Sequence, residues 1–402
     1  MSRDTSATGF EMNTITPDFY NYDWQPISSC HVAACGKVHL RWADGVALEC
    51  HPWWLRENSV GPDGIDPVTR ENDLDPALLD PSTHVATAEV DSDGGLTVLF
   101  QPEGRVAQYH PGWLRHVADG QHGPHAGLPP VEVWSTADRQ EPATHDGVAV
   151  LNHDEALAAW LNDLVRFGLA RLVGIGTDPE TVGTLATRVG AMRGSNFGLM
   201  WHVDVDLDPV STANTAQRLA AHTDLPTRET PPGYQFLHCL VNTAAGGEST
   251  MCDGLAVAEH LAANEPEVFE ALRTLKWVFF NRAKDHDHRW IGPIIDDGDS
   301  RVPLTFRAFH PVRAFPSMPH EDIGRAYAAI RRFGALANSA QFQMKYAFTP
   351  GDLIAFDNRR VLHGRDSFDV GPAAQRRLHG TYMDTDEVYS RLRVLNRRAA
   401  TV

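Results

Sequence analysis

Lysine is scarce in this 402-residue chain, occurring only at positions 37, 276, 284 and 345. Nearly all the positive charge is therefore arginine, which suits fixed, forked contacts with anions better than diffuse basic patches. Basic residues are also outnumbered, 35 against 52 acidic ones, for a formal charge of −17. A field of that sign repels a phosphate backbone and anionic lipid, so neither nucleic acid nor a membrane is expected as a partner. No run approaches the roughly 20 apolar residues that span a bilayer. The stretch MSRDTSATGFEMNTITPDFYNYDWQP lacks a basic start followed by an apolar run, so it does not read as a secretory signal. Cysteine is sparse as well: Cys30, Cys35, Cys50, Cys239 and Cys252. An odd, small number in so long a chain reads as reduced thiols, and the expected location is cytoplasmic.

What is present builds a core. Hydrophobic residues make up 42% of the chain, with ten Trp and 17 Phe, and the length allows two or three domains. Residues 1–35 read as a polar N-terminal arm. Residues 36–115 read as a small β-rich domain, because VHLRW and VALEC flank an Asp-Gly turn and ATAEV, LTVLF and RVAQY repeat the pattern. Residues 116–146, rich in Gly, Pro, His and charge, read as a linker. From 147 to 402 the pattern changes. Asn152 or Asp154 is placed to cap a helix whose Ala156, Leu157, Trp160, Leu161 and Leu164 share one face. LARLVGI follows as a strand, residues 178–190 as a helix, and further helices are expected at about 255–274 and 320–337. Short strands recur from 220 onward. The fold class expected is α+β, mostly β: a double-stranded β-helix, or jelly roll, with flanking helices and a small N-terminal β-rich domain.

Three stretches carry chemistry. LAAHTDLPT sets His222 and Asp224 at i and i+2, which in a strand share a face. Alone that is a weak metal signal. TPGDLIAFDNRRVLHGRDSF leads an apolar strand to His363, 139 residues after Asp224, far enough for the chain to circle a barrel and return. QRRLHGTYMD places Arg376 thirteen residues further on, within reach of the same cavity through a hairpin. Two imidazoles and one carboxylate with open positions are the ligand pattern of non-haem Fe(II) oxygenases. The open positions admit a bidentate 2-oxo acid and O₂, and a guanidinium fork matches the far carboxylate of a dicarboxylate.

HTDLPTRETPPGYQFLHCL, GGESTMCDG, FTPGDLIAFDNRRVLHGR and RRLHGTYMDTDEVYSRLRVL resemble the γ-butyrobetaine hydroxylases, within the taurine-dioxygenase-like Fe(II)/2-oxoglutarate oxygenases. The resemblance covers almost the whole chain, since VHLRWADG, HPWWLREN and DPVTREN look like the small N-terminal domain of that family. It implies that His222, Asp224 and His363 are the catalytic iron ligands. It also implies that Arg376 holds the distal carboxylate of 2-oxoglutarate, with Arg365 and Arg377 as neighbouring competitors, and that Ser249 and Leu237 lie beside the co-substrate. The implied requirements are Fe(II), 2-oxoglutarate and O₂, the implied by-products succinate and CO₂, and the implied assembly a homodimer. A related halogenating subgroup carries Ala or Gly at the carboxylate position, so Asp224 points to hydroxylation.

The sequence departs from that family in two places. The positions that match its three zinc-binding cysteines and one histidine read Ser59, Gly61, Gly64 and about Arg105, so no structural zinc is expected. A relocated site through Cys30, Cys35, Cys50 and His51 is the alternative. In the substrate pocket, the family's aromatic cage for a trimethylammonium group maps to Phe197, Trp201 and Tyr382, with Asn214 in place of a tyrosine. At the anion end Leu225 replaces a tyrosine, Phe306-Arg307-Ala308 replaces Phe-Asn-Asn, and Ser211 replaces an asparagine. Arg307 is expected to anchor an anion there, and AKDHDHRWIGP (Lys284, His286, His288, Arg289, Trp290) to supply a polar loop. The leading expectation is hydroxylation of a small amine or quaternary ammonium compound with an anionic end. Its alternatives are an oxygenase of an aminoalkyl or trimethylaminoalkyl phosphonate or of a specialised amino-acid-like metabolite, a non-catalytic binding barrel, and a zinc hydrolase using the same triad.

Overall fold

The computed structural model describes residues 14–204, 215–281, 285–297, 304–368 and 375–399. Two compact units divide at Gly127 and Leu128.

The first unit holds two three-stranded antiparallel sheets, Ile27–Val32 with Val38–Trp42 and Ala47–Cys50, and His84–Val90 with Leu96–Gln101 and Arg105–Tyr109. Its first strand begins inside the stretch expected to be an arm. The hydrophobic reason is Ile27, which alternation in ISSCHV hardly announces but which is buried in this unit's core. Two short helices, Pro52–Glu57 and Pro111–Ala118, each begin His-Pro-Xaa-Trp-Leu. The histidine ring accepts a hydrogen bond from a first-turn N–H, and proline stands where a helix needs no donor. Trp54 and Trp113 stack at 5.4 Å.

The second unit is a jelly roll. Its larger, mixed sheet runs in the order Met200–Asp204, Arg376–Met383, Tyr234–Asn242, Leu353–Asp357, Leu169–Val173, Ala143–Asp146. The last pair is parallel and the rest antiparallel. The smaller sheet runs Leu219–His222, Val361–Arg365, Ser249–Asp253, Gln343–Tyr346. From Leu219 the chain alternates between sheets, which wraps them around a shared interior. The stretch expected to be a linker thus enters the fold early: Ala143–Asp146 is a sheet strand, and Trp134 is buried with its Nε1–H donating to Phe167 O at 2.8 Å.

The outer face of the larger sheet is covered by helices Asp154–Phe167, Thr181–Val189 and Thr385–Ala399. Leu157, Trp160, Leu161 and Leu164 are fully buried there, each worth roughly 1.5–3 kcal/mol against exposure. The expected 255–274 helix is two helices, Gly254–Asn264 and Pro266–Thr274. Pro266 has no N–H to continue the first, and it opens the second instead. Ile323–Ala337 packs beside them in a second core with Trp277, Phe279 and Phe306.

Candidate active site

The smaller sheet brings the three expected ligands together. His222 ends its strand as the register partner of His363 on the neighbouring strand. Gly364 makes that approach possible, since a Cβ there would lie 2.5 Å from Leu219 O and 2.7 Å from Thr250 Oγ1. Asp224 follows on the connecting loop. Its Oδ1 is 3.4 Å from His222 Nε2 and its Oδ2 3.7 Å from His363 Nε2. One ligand atom from each residue lies within 4.8 Å of the others, and no other set of three His, Cys, Asp or Glu does so among the described residues.

Each ligand is held by its surroundings. His222 Nδ1 is 2.9 Å from Ala220 O, so Nδ1 carries a proton and donates it to that carbonyl, which fixes the ring with Nε2 toward Asp224. Tyr382 donates its hydroxyl to Asp224 Oδ2 at 2.7 Å. The fully buried Asn358 accepts from Asp224 N–H at 2.7 Å and donates to Asp224 O at 3.1 Å and Pro232 O at 3.2 Å. Thr223 Oγ1 donates to Phe306 O and accepts from Ala308 N–H. Leu225 takes a left-handed backbone, φ +51°, so the chain turns away directly after the carboxylate. Phe309 stacks on the His222 ring at 4.7 Å and Phe356 lies 4.7 Å from the His363 ring. Sequence reading missed Asn358, Phe309 and Phe356. Only the Asp-Asn pair in AFDNRR offered a signal, as a turn.

Electrostatics put these groups in ligand-ready states. Burial would raise the Asp224 carboxyl, but the two histidines and the Tyr382 hydroxyl outweigh it and hold the group well below the usual carboxylate range. Burial, helped by His222 and opposed by Asp224, pushes His363 down to about 3. An ionised carboxylate beside a neutral imidazole is the protonation pattern that binds a metal without first shedding protons.

The triad opens into a cavity of about 580 Å³. Leu237, Ser249, Arg365, Arg376, Trp201, Phe197 and Tyr382 all line it. The three competing arginines differ in what they already hold. Exposed Arg377 pairs with Asp204 at 3.0 Å. Arg365 donates to Thr215 O and Gln217 O and lies over the Phe368 ring. Arg376 is 7% exposed, forms no ion pair among the described residues, and its Nε has no hydrogen-bond partner. Burial lowers its pKa, so a cation that the fold leaves uncompensated faces the cavity.

Trp201 and Tyr382 form an aromatic wall with ring centres 5.1 Å apart, while Phe197, 46% exposed, stands at the rim. Tyr382 therefore has two tasks, wall and donor to Asp224. Asn214, Ser211 and Lys284 lie outside the described residues. Arg307 requires a correction. It is 3% exposed and does not line the cavity; its Nη1 donates to Pro226 O and Arg228 O and its Nη2 to Glu229 O, at 2.7–3.0 Å. Its guanidinium holds the loop after Asp224 instead of a ligand. The expectation failed because strand position does not tell which side of a loop a long side chain serves. Asn281, Asp285 and His286 line the cavity from the 281–288 region, so that loop does contribute polar groups.

In the N-terminal unit, the four positions that match zinc ligands do converge, but on a guanidinium. Arg105 Nε donates to Ser59 Oγ at 3.1 Å, and its Nη1 donates to Pro62 O. Its Nη2 stands 3.2 Å and 3.6 Å from where a Cβ at Gly64 and at Gly61 would be. Arg56 adds a two-bond pair with Glu103 at 2.8 and 3.0 Å. A hydroxyl, two glycines and a cation do not fit Zn²⁺. The alternative cysteine set is dispersed: Cys30 donates to Ala88 O, Cys35 is exposed, and Cys50 is in the core with burial pushing its thiol up to about 12.

Comparison with known proteins gives the family. Residues 131–382 match the family described as "Taurine catabolism dioxygenase TauD, TfdA family". The chain is 38% identical over 375 residues to gamma-butyrobetaine dioxygenase of Pseudomonas sp. (strain AK-1), covering 92% of this chain and 97% of that one. It is 28% identical to the mitochondrial trimethyllysine dioxygenase of Gallus gallus, covering 90% of this chain and 87% of that one. Among solved structures it is similar to the PvcB protein from Pseudomonas aeruginosa, with TM-score 0.45 and 23% identity over 60% of this chain and 83% of that one.

Proposed function

The chain belongs to the taurine catabolism dioxygenase (TauD, TfdA) family, and from that premise we propose that its cavity hydroxylates a small quaternary ammonium compound, with γ-butyrobetaine as the first substrate to test. The enzyme is an Fe(II)- and 2-oxoglutarate-dependent dioxygenase. Bound together, iron and 2-oxoglutarate supply O₂-dependent oxidative decarboxylation to succinate and CO₂, coupled to hydroxylation of a C–H bond.

His222, Asp224 and His363 would hold the iron; their spacing, with the lowered pKa values of Asp224 and His363, supports that assignment. Arg376 would take the distal carboxylate of 2-oxoglutarate, where a forked cation gains two charge-assisted hydrogen bonds. Ser249 and Leu237 would flank the same co-substrate, one polar and one apolar. Trp201 and Tyr382 would receive the ammonium group on their ring faces, with Phe197 at the rim. The Tyr382 hydroxyl keeps Asp224 oriented while its ring faces the substrate, which ties substrate position to metal position.

The observation that carries the reading is the meeting, in one cavity, of a three-ligand cluster and a buried guanidinium that forms no ion pair among the described residues. A phosphonate substrate loses its motivation, because Arg307 is occupied by backbone carbonyls. An acidic surface and unpaired thiols support a cytoplasmic location, and the family likeness supports a homodimer. Among the described residues no helix is long and apolar enough to cross a membrane.

Anaerobic addition of Fe(II) and 2-oxoglutarate should give a visible charge-transfer absorption, and γ-butyrobetaine with O₂ should raise succinate production. Absorption without any substrate-dependent succinate would keep the enzyme class and reject the substrate. No absorption at all would reject the site.

A further inference from the structure

Gly380 lies on the inward face of the larger sheet, on the strand next to its edge. It is the register partner of Trp201 on one side and of Leu237 on the other. Arg376, Leu378 and Tyr382, its inward neighbours at steps of two, all line the cavity, so the one inward position without a side chain is 380. A Cβ built there would lie 2.5 Å from Trp201 Cη2, 2.7 Å from Cζ3 and 2.8 Å from Cζ2. All three nearest atoms belong to the six-membered ring of one indole.

We propose that Gly380 is a specificity-determining positioning residue: its missing side chain is the notch in which the Trp201 indole lies, and this sets the aromatic wall that receives the cationic end of the substrate. The proposal rests on the quaternary ammonium reading above. Two observations make the notch the determinant of ring position. The indole Nε1 is buried and has no hydrogen-bond partner among the described residues, so no polar contact among them anchors the ring. The ring is also rigid, and it cannot yield at one end as a flexible side chain would. Carbon atoms pack at about 3.5–4.0 Å, so a methyl group at 380 lifts the whole ring by about an ångström. The free direction is into the cavity, away from the 5.1 Å, 39° relation with Tyr382. Attraction between a cation and a ring depends on the cation meeting the ring face, so a displaced indole weakens binding of the ammonium group specifically.

The test is a double-mutant cycle of Gly380→Ala and Trp201→Ala in the Fe(II)- and 2-oxoglutarate-loaded protein without O₂. γ-Butyrobetaine binding is followed by calorimetry and 2-oxoglutarate binding by the visible absorption. Gly380→Ala should weaken γ-butyrobetaine binding about 3- to 30-fold, with 2-oxoglutarate affinity held within about twofold of wild type. In the Trp201→Ala background the same change should cost nothing further, in ligand affinity or in Tm. A Gly380→Ala protein that binds γ-butyrobetaine as wild type does overturns the proposal, and so does a penalty that persists without the indole. Should wild type not bind γ-butyrobetaine, the substrate reading fails. The Tm cycle then still decides whether Gly380 seats Trp201: coupled losses support the seat and additive ones refute it.

Discussion

His222 and His363 are register partners on adjacent antiparallel strands, and their ring centres lie 4.2 Å apart. Two of the three proposed ligands are thus fixed by a sheet ladder, and only Asp224 depends on a loop. Removing either imidazole leaves too few ligands for the ion. His222→Ala and His363→Ala are each expected to abolish the Fe(II)/2-oxoglutarate absorption and succinate formation while circular dichroism stays native. A wild-type absorption in either variant would mean that the metal sits elsewhere.

Asp224 is oriented by the Tyr382 hydroxyl at 2.7 Å. Groups that orient a ligand typically matter about 10- to 100-fold in metal affinity or activity. Tyr382→Phe keeps the ring and removes only that donor, so Fe(II) affinity should fall in this range while the aromatic wall remains. Unchanged Fe(II) affinity with weaker γ-butyrobetaine binding would assign Tyr382 to the substrate alone.

Much of this architecture was legible because the sequence writes it locally. The Asp-Gly turn between VHLRW and VALEC and the helical face from Leu157 to Leu164 each carry their own local signal, whereas the single apolar strand expected to run up to His363 is two strands, Leu353–Asp357 in the larger sheet and Val361–Arg365 in the smaller. The choice among Arg365, Arg376 and Arg377 was not legible, since it depends on which guanidinium already has a carbonyl or carboxylate partner. Phe309 was invisible, and Asn358 legible only as part of a turn, for the same reason. They reach His222 and Asp224 across 87 and 134 residues of chain, through contacts that no local pattern encodes. Ile27 and Trp134 were hidden in polar, proline-rich surroundings whose composition argued for loops.

Arg376 is buried without a partner among the described residues, which costs stability in the protein alone. Arg376→Met is therefore expected to leave Tm unchanged or higher without ligand. It should also abolish the stabilisation that 2-oxoglutarate gives and weaken its binding by 2 kcal/mol or more, roughly thirtyfold. Thermal shift with and without 2-oxoglutarate reads both effects. A destabilised variant that still responds to 2-oxoglutarate would make Arg376 a structural cation.

His238 gives a pH dependence outside the metal site. It is fully buried, with Nε2 2.8 Å from Gly176 O and Nδ1 unpartnered among the described residues. Burial lowers its pKa; the Gly176 bond opposes this, His379 adds to it, and Asp178 opposes it. An unfolded histidine titrates near 6.5, so on acidification the unfolded chain takes up the proton first. This contribution to stability is complete above about pH 6.5 and is lost as the pH falls through the lower folded value. His238→Gln should reduce the acid-side slope of unfolding free energy by up to about 1.4 kcal/mol per pH unit, read from urea titrations between pH 7 and 5. An unchanged slope would mean that His238 takes up no proton on unfolding.

Arg307 tests the correction made to the sequence reading. Its guanidinium donates to Pro226 O, Arg228 O and Glu229 O, lies over the Trp290 ring, and stands 3.6 Å from Asp296. Those carbonyls belong to the loop that carries Asp224 out of the sheet. Lysine presents a single ammonium and cannot span three acceptors on one plane. Arg307→Lys should therefore destabilise the protein by about 2–4 kcal/mol, because at least one or two backbone acceptors lose their partner. Fe(II) affinity should fall along with stability, since the loop that presents Asp224 loosens. An anchor for the anionic end of the substrate would behave differently: stability and Fe(II) affinity would hold while binding of the anionic substrate alone collapsed. Denaturant midpoints, Fe(II) titration and γ-butyrobetaine calorimetry on the same variant separate the two, and selective loss of γ-butyrobetaine binding would restore Arg307 to the substrate pocket.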